Sequence, residues 1–148
     1  MRNTTGNVMS MLAIAVIATA GCNKKEANVP AADSTTMSQA QAVQVNSVDV
    51  GRSVGSDMRV TGSGTEFARR DTIYASVATS GTGPATLVAR WSFEDGQVVD
   101  STSRSISPMS DAVTEFHITK PSAWPMGKYR VEVMLNGRVA GSQEFMIK

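Results

Sequence analysis

The stretch Gly127–Lys148, GKYRVEVMLNGRVAGSQEFMIK, decides the fold class. Tyr129, Val131, Val133 and Leu135 alternate with Lys128, Arg130, Glu132 and Met134. A period of two puts the first set against a core and the second toward water, the signature of a strand with one face buried. Asn136-Gly137 then supplies the two residues that most readily take positive φ, as a type I′ hairpin turn requires. Val139, Phe145 and Ile147 are expected to continue the inward face on the return strand, with Gly141 marking a bulge or a loosened stretch.

The same alternation extends upstream. Leu87, Ala89, Trp91 and Phe93 share one face of TLVARWSFEDG, and Asp95-Gly96 offers a second hairpin turn leading into Val98 and Val99. Ile73, Ala75 and Val77 alternate with Tyr74, Ser76 and Ala78 in the preceding strand, which the loop Ser80-Gly81-Thr82-Gly83-Pro84 closes. Phe116 and Ile118 mark another inward face, ended by Lys120-Pro121. Weaker strand patterns lie at 44–50, 58–61 and 103–107. About seven short strands, regular turn signals and no helical period predict an all-β antiparallel sandwich over residues 43–148.

From Thr72 to Lys148 the chain resembles immunoglobulin-like domains. Tyr129, opening the penultimate strand within Gly127-Lys128-Tyr129-Arg130-Val131, resembles their tyrosine corner, and Trp91 stands where that fold keeps its core tryptophan. Where antibody domains place a cysteine two residues after the tyrosine, this chain has Val131. The resemblance therefore implies a sandwich without the inter-sheet disulfide, in which Trp91 packs against aliphatic side chains such as Val131 and Val77. The run from Phe116 to Pro125 into this hairpin also resembles uncharacterised bacterial envelope lipoproteins, which implies location and fold and supplies no activity.

The start of the chain carries a different pattern. Arg2 precedes an uncharged apolar run of 13 residues, Val8–Ala20, and then Gly21 and Cys22. A basic start, a short apolar core and small residues at the cut are the order of a secretory signal. A membrane-crossing helix needs about 20 such residues. Ala18-Thr19-Ala20-Gly21-Cys22 resembles the lipobox of bacterial lipoproteins, departing from it at Thr19, where that family usually has Leu. The resemblance implies removal of residues 1–21, acylation of Cys22, and a membrane anchor through lipid. Asn23, in place of an Asp at the next position, implies the outer membrane, facing the periplasm. An ordinary secretory signal that leaves a free thiol is the alternative. Cys22 is the chain's only cysteine, so no disulfide partner competes for it. Residues 22–42 are rich in Ala, Ser, Thr, Asn and Gln and bury too little to offset chain entropy, which predicts a flexible tether.

Charge and composition narrow the function. Removal of residues 1–21 takes Arg2 away and brings the formal charge from +1 to 0. A neutral domain lacks the clustered cations that nucleic-acid binding uses. His117, the only histidine, shares an outward strand face with Glu115, and no serine sits in a G-x-S-x-G elbow. No catalytic residue, cofactor or metal ligand is assigned, and a non-enzymatic module that binds or scaffolds another envelope protein is the leading expectation. The alternative is a small-ligand or copper-handling protein built on His117 and Met126, with Met58, Met109, Met134 and Met146 as further soft donors. Asp57, Asp95 and Asp100 form no calcium loop, and the glycines of Gly62-Ser63-Gly64 and Gly81-Thr82-Gly83 precede no helix that would receive a phosphate. Trp124, between two prolines, is open to two readings: an exposed anchor for a partner, or a cap on the end of the sandwich.

Overall fold

The computed structural model describes residues 41–148. The readings that concern residues 1–21, Cys22, Asn23 and most of the tether lie outside the described residues. Nine strands follow one another without a helix among the described residues: β1 Gln44–Val54, β2 Val60–Ser63, β3 Glu66–Phe67, β4 Ile73–Ser80, β5 Ala85–Phe93, β6 Gln97–Ile106, β7 Ala112–Ile118, β8 Gly127–Leu135 and β9 Arg138–Ile147. They form two sheets, ordered β2-β1-β4-β7 and β3-β9-β8-β5-β6. All pairs are antiparallel except β3 with β9, whose two-residue ladder sets Phe67 beside Ile147 in parallel. The fold is an immunoglobulin-like β-sandwich. In its lettering β1, β4 and β7 take the places of A, B and E, β5, β8 and β9 those of C, F and G, and β6 extends the second sheet beside C.

The core forms where the inward rows of the two sheets meet. Ile73, Ala75 and Val77 of β4 and Phe116 and Ile118 of β7 face Leu87, Ala89 and Trp91 of β5 and Tyr129, Val131 and Val133 of β8. Val131 stands directly opposite Trp91 in the β5–β8 ladder, and Val77 belongs to the same core from the other sheet, as the missing disulfide implied. Phe145 supplies what periodicity alone did not reveal. Its ring stacks on Tyr129 at 5.5 Å and meets Trp91 and Phe67 edge-on at 6.0 and 5.4 Å.

Several expectations change in detail. The type I′ turn is present, with φ of 49° at Asn136 and 80° at Gly137. Val139, expected inward, is 62% exposed. The cause is a bulge: Val133 pairs with Gly141 but Met134 with Val139, so Ala140 is an extra residue that reverses the parity of β9 before the turn. Gly141 is required just past that bulge, because a Cβ there would stand 2.9 Å from Val48 Cγ2 of the facing sheet. The Asp95-Gly96 hairpin closes through three residues, with Glu94 as well as Gly96 at positive φ, and Val99 forms a second bulge opposite Trp91 and Ser92. The separate patterns at Val98-Val99 and 103–107 are one continuous strand, β6. The short β3 carries no sequence pattern of its own, and the described strands number nine where about seven were expected.

Candidate functional site

One end of the sandwich carries Trp124, Tyr129 and Met126, three of the side chains that the sequence singles out. The loop from Thr119 to Met126 carries Trp124, whose side chain is buried, so it is a cap and not an exposed anchor. Three hydrogen bonds hold it to the segment between β3 and β4. Its backbone N–H donates to the Arg69 carbonyl at 2.7 Å, its Nε1–H donates to the Asp71 carbonyl at 3.0 Å, and its own carbonyl accepts from Arg69 Nε at 3.0 Å. Asp71 is fixed in turn, its Oδ2 accepting from the Ala68 N–H and from Arg52 Nε, at 2.9 and 3.0 Å. The indole meets Tyr129 edge-on at 6.0 Å.

Tyr129 completes this corner. Its hydroxyl donates to the Pro125 carbonyl at 3.0 Å, the backward hydrogen bond that defines a tyrosine corner. Burial, and secondarily the negative charge of Glu94, push the phenol above its ordinary pKa, so it stays a neutral donor.

Beside the capped end runs a groove of about 370 Å³, with Phe93, Val98, Val99, Pro125 and the rims of Trp124 and Tyr129 for walls and Lys120 at its edge. Val98 and Val99 are 52% and 39% exposed, and neighbouring Met126 is 63% exposed. The bulge explains the valines: an extra residue turns the strand so that two adjacent apolar side chains remain outside the core. Lys120 Nζ lies 5.8 Å from the Trp124 ring centroid and adds a positive charge to a rim that also carries Gln97 and Thr119. This surface suits an apolar side chain next to an acidic one. Sequence reading missed it, although consecutive valines after a Gly turn were the available signal.

His117 lies elsewhere, on the outer face of the first sheet, as its parity predicted. Its Nδ1 is 2.7 Å from Glu115 Oε1, and its ring is 5.4 Å from that of Tyr74 on the adjacent strand. Arg104 approaches the other Glu115 oxygen at 3.7 Å. Among the described residues no hydroxyl or thiol hydrogen-bonds to His117, and no group of three His, Cys, Asp or Glu side chains could hold a metal. Met126 lies in the loop that precedes β8 of the second sheet, and His117 near the end of β7 in the first. Met58 and Met109 are exposed, Met109 almost fully. Near the β5–β6 turn, Glu94, Asp95 and Glu144 share a second hollow of about 280 Å³ with Lys128 and Arg130. There the Arg130 guanidinium, 2.7 Å from Glu144 Oε1, holds that carboxyl below its ordinary pKa by hydrogen bond and charge. Arg130 thus pairs with Glu144, while Glu94 accepts from the Lys128 backbone N–H at 3.1 Å.

Comparison with known proteins speaks to the fold. No protein-family model matches the sequence, and no curated protein matches it. Among solved structures, a β-glucosidase from Erythrobacter marinus is similar with a TM-score of 0.53 at 8% identity, over 73% of this chain and 16% of that one. An immunoglobulin-like protein from Pseudomonas aeruginosa is similar over 74% of this chain and 99% of that one, at 16% identity and a TM-score of 0.46. An alkylpurine DNA glycosylase from Pseudomonas fluorescens bound to DNA with an abasic-site analogue is similar over 72% of this chain, at 18% identity and a TM-score of 0.47. The chain spans 30% of that glycosylase's length and 16% of the glucosidase's.

Proposed function

We propose that this protein is a lipid-anchored module of a bacterial envelope, held through Cys22 and binding another envelope protein without catalysing a reaction. The groove walled by Phe93, Val98, Val99 and Pro125 carries the binding part of this reading, because it joins exposed apolar side chains to a rigid, hydrogen-bonded rim. The lipobox-like run ending in Cys22 supports the anchor, and Asn23 favours the outer membrane.

Gentle crosslinking of envelopes that carry the full chain tests the proposal. It is expected to yield an adduct with a different protein. Val99→Asp, which places a carboxylate in the groove, should abolish the adduct, and Cys22→Ser should move the chain from the membrane pellet to the soluble fraction. Recovery of the chain without any such adduct refutes the binding part, and retention of Cys22→Ser in the pellet refutes the anchor.

A further inference from the structure

The outermost strand of the second sheet has an unused edge. Among the described residues β6 pairs only with β5, and almost every residue from Gln97 to Ile106 is exposed. Alternate backbone N–H and C=O groups of such a strand point away from its neighbour and are free to pair with another chain. Proteins blunt such edges with charges that repel or strand an unsuited partner, and here the blunting charges are Asp100 and Arg104.

Their placement is self-complementary. In the ladder with β5, Asp100, Thr102 and Arg104 stand opposite the core residues Trp91, Ala89 and Leu87, so the three lie in one row on the inner side of the strand. Antiparallel pairing of this strand with a second copy about a two-fold axis through Thr102 brings each Asp100 opposite the other copy's Arg104. An apolar or like-charged edge would leave these charges unmatched, whereas a second copy satisfies both at once. Neither charge is fully committed within the chain. Among the described residues Asp100 Oδ2 accepts only from the Thr102 hydroxyl at 3.2 Å, and Arg104, with its side chain 47% exposed, lies over Phe116 and at the margin of an ion pair with Glu115.

We infer that β6 is a homodimerisation edge, which joins two copies by antiparallel pairing about Thr102 with reciprocal Asp100–Arg104 ion pairs. The two five-stranded sheets then form one continuous ten-stranded sheet. This goes beyond the anchored-module reading and does not rest on it, because Asp100, Thr102 and Arg104 do not line the groove.

Cysteine crosslinking of the full chain tests it. Directly opposed Cα atoms across an antiparallel pair are about 4.5 to 5.5 Å apart, within disulfide range. Thr102→Cys is therefore expected to give a disulfide-linked dimer on mild oxidation. Ser105→Cys, three residues from the axis, should give at least about tenfold less, since its two copies stand some 20 Å apart at roughly 3.4 Å per residue. Added to Thr102→Cys, either Asp100→Arg or Arg104→Asp opposes like charges twice and should lower the yield about tenfold, while the two together restore it. Should Arg104→Asp disturb folding through the loss of its contact with Phe116, Asp100→Arg at an exposed position still decides the charge test. Equal crosslinking at 102 and 105, no dimer with Thr102→Cys, or indifference of its yield to Asp100→Arg overturns the inference.

Discussion

Replacement of Tyr129 by Phe isolates the hydrogen bond that locks the capped end of the sandwich. The ring loses only its hydroxyl, so its contacts with Phe93 at 4.8 Å, Phe145 at 5.5 Å and Trp124 at 6.0 Å persist. What disappears is the 3.0 Å bond to the Pro125 carbonyl. A hydrogen bond contributes about 0.5–1.5 kcal/mol net, and a buried acceptor left without a donor costs about 1–3. The bond is only partly buried and Pro125 is exposed, so the lower range applies. The expected loss is about 1 kcal/mol, or about 4–8 °C in Tm for a domain of roughly this size. Urea unfolding should show a lower midpoint with an unchanged slope, because no surface is newly exposed in the native state. The pH dependence adds a signed check. The folded phenol has a raised pKa, so its contribution is fully present below about 10, and is lost as pH rises from there through the folded value. Tyr129→Phe should therefore show a shallower alkaline decline than the parent. An unchanged midpoint, or a loss approaching the ~3–5 kcal/mol of an aromatic truncation, would refute the reasoning.

Two further substitutions probe the packing between the sheets. Gly141→Val places a side chain where a Cβ alone would approach Val48 Cγ2 to 2.9 Å, and the sheets must part or the bulge must shift. Thermal unfolding should show a loss of about 1–3 kcal/mol. Trp91 is fully buried, and its Nε1–H alone among buried side-chain polar atoms of the described residues has no partner. Trp91→Phe leaves a cavity but also removes that unsatisfied donor, so its cost should fall below the ~3–5 kcal/mol typical of Trp→Ala. Chemical denaturation of the two variants side by side measures the difference.

The parts of this fold that were legible in sequence are those where one local rule decides the outcome. Period two fixed β4, β5 and β8, because each has one face on the core, and Asn136-Gly137 fixed the hairpin between β8 and β9. Val139 misled because the parity of a strand is local only until a bulge, and the residue that bulges, Ala140, carries no special signal. β6 read as two fragments because its serines, threonines and charges serve a strand with neither face fully buried, so no alternation marks it. β3 owes its existence to the edge of β9, some 80 residues later. A two-residue strand has no period of its own. At the site, Tyr129 was recognisable from its place before a core valine, whereas the role of Trp124 depended on carbonyls at Arg69 and Asp71 that only the folded chain brings near.

The proposal that Cys22 anchors a disulfide-free sandwich at a membrane is tested most directly by intact mass spectrometry of the full chain, extracted from membranes in detergent. It predicts a chain that begins at Cys22, with its amino-terminal peptide heavier than its sequence by the mass of attached acyl groups and sensitive to alkaline ester hydrolysis. A chain that retains Met1–Gly21, or one that begins elsewhere with Cys22 as a free thiol, would contradict it.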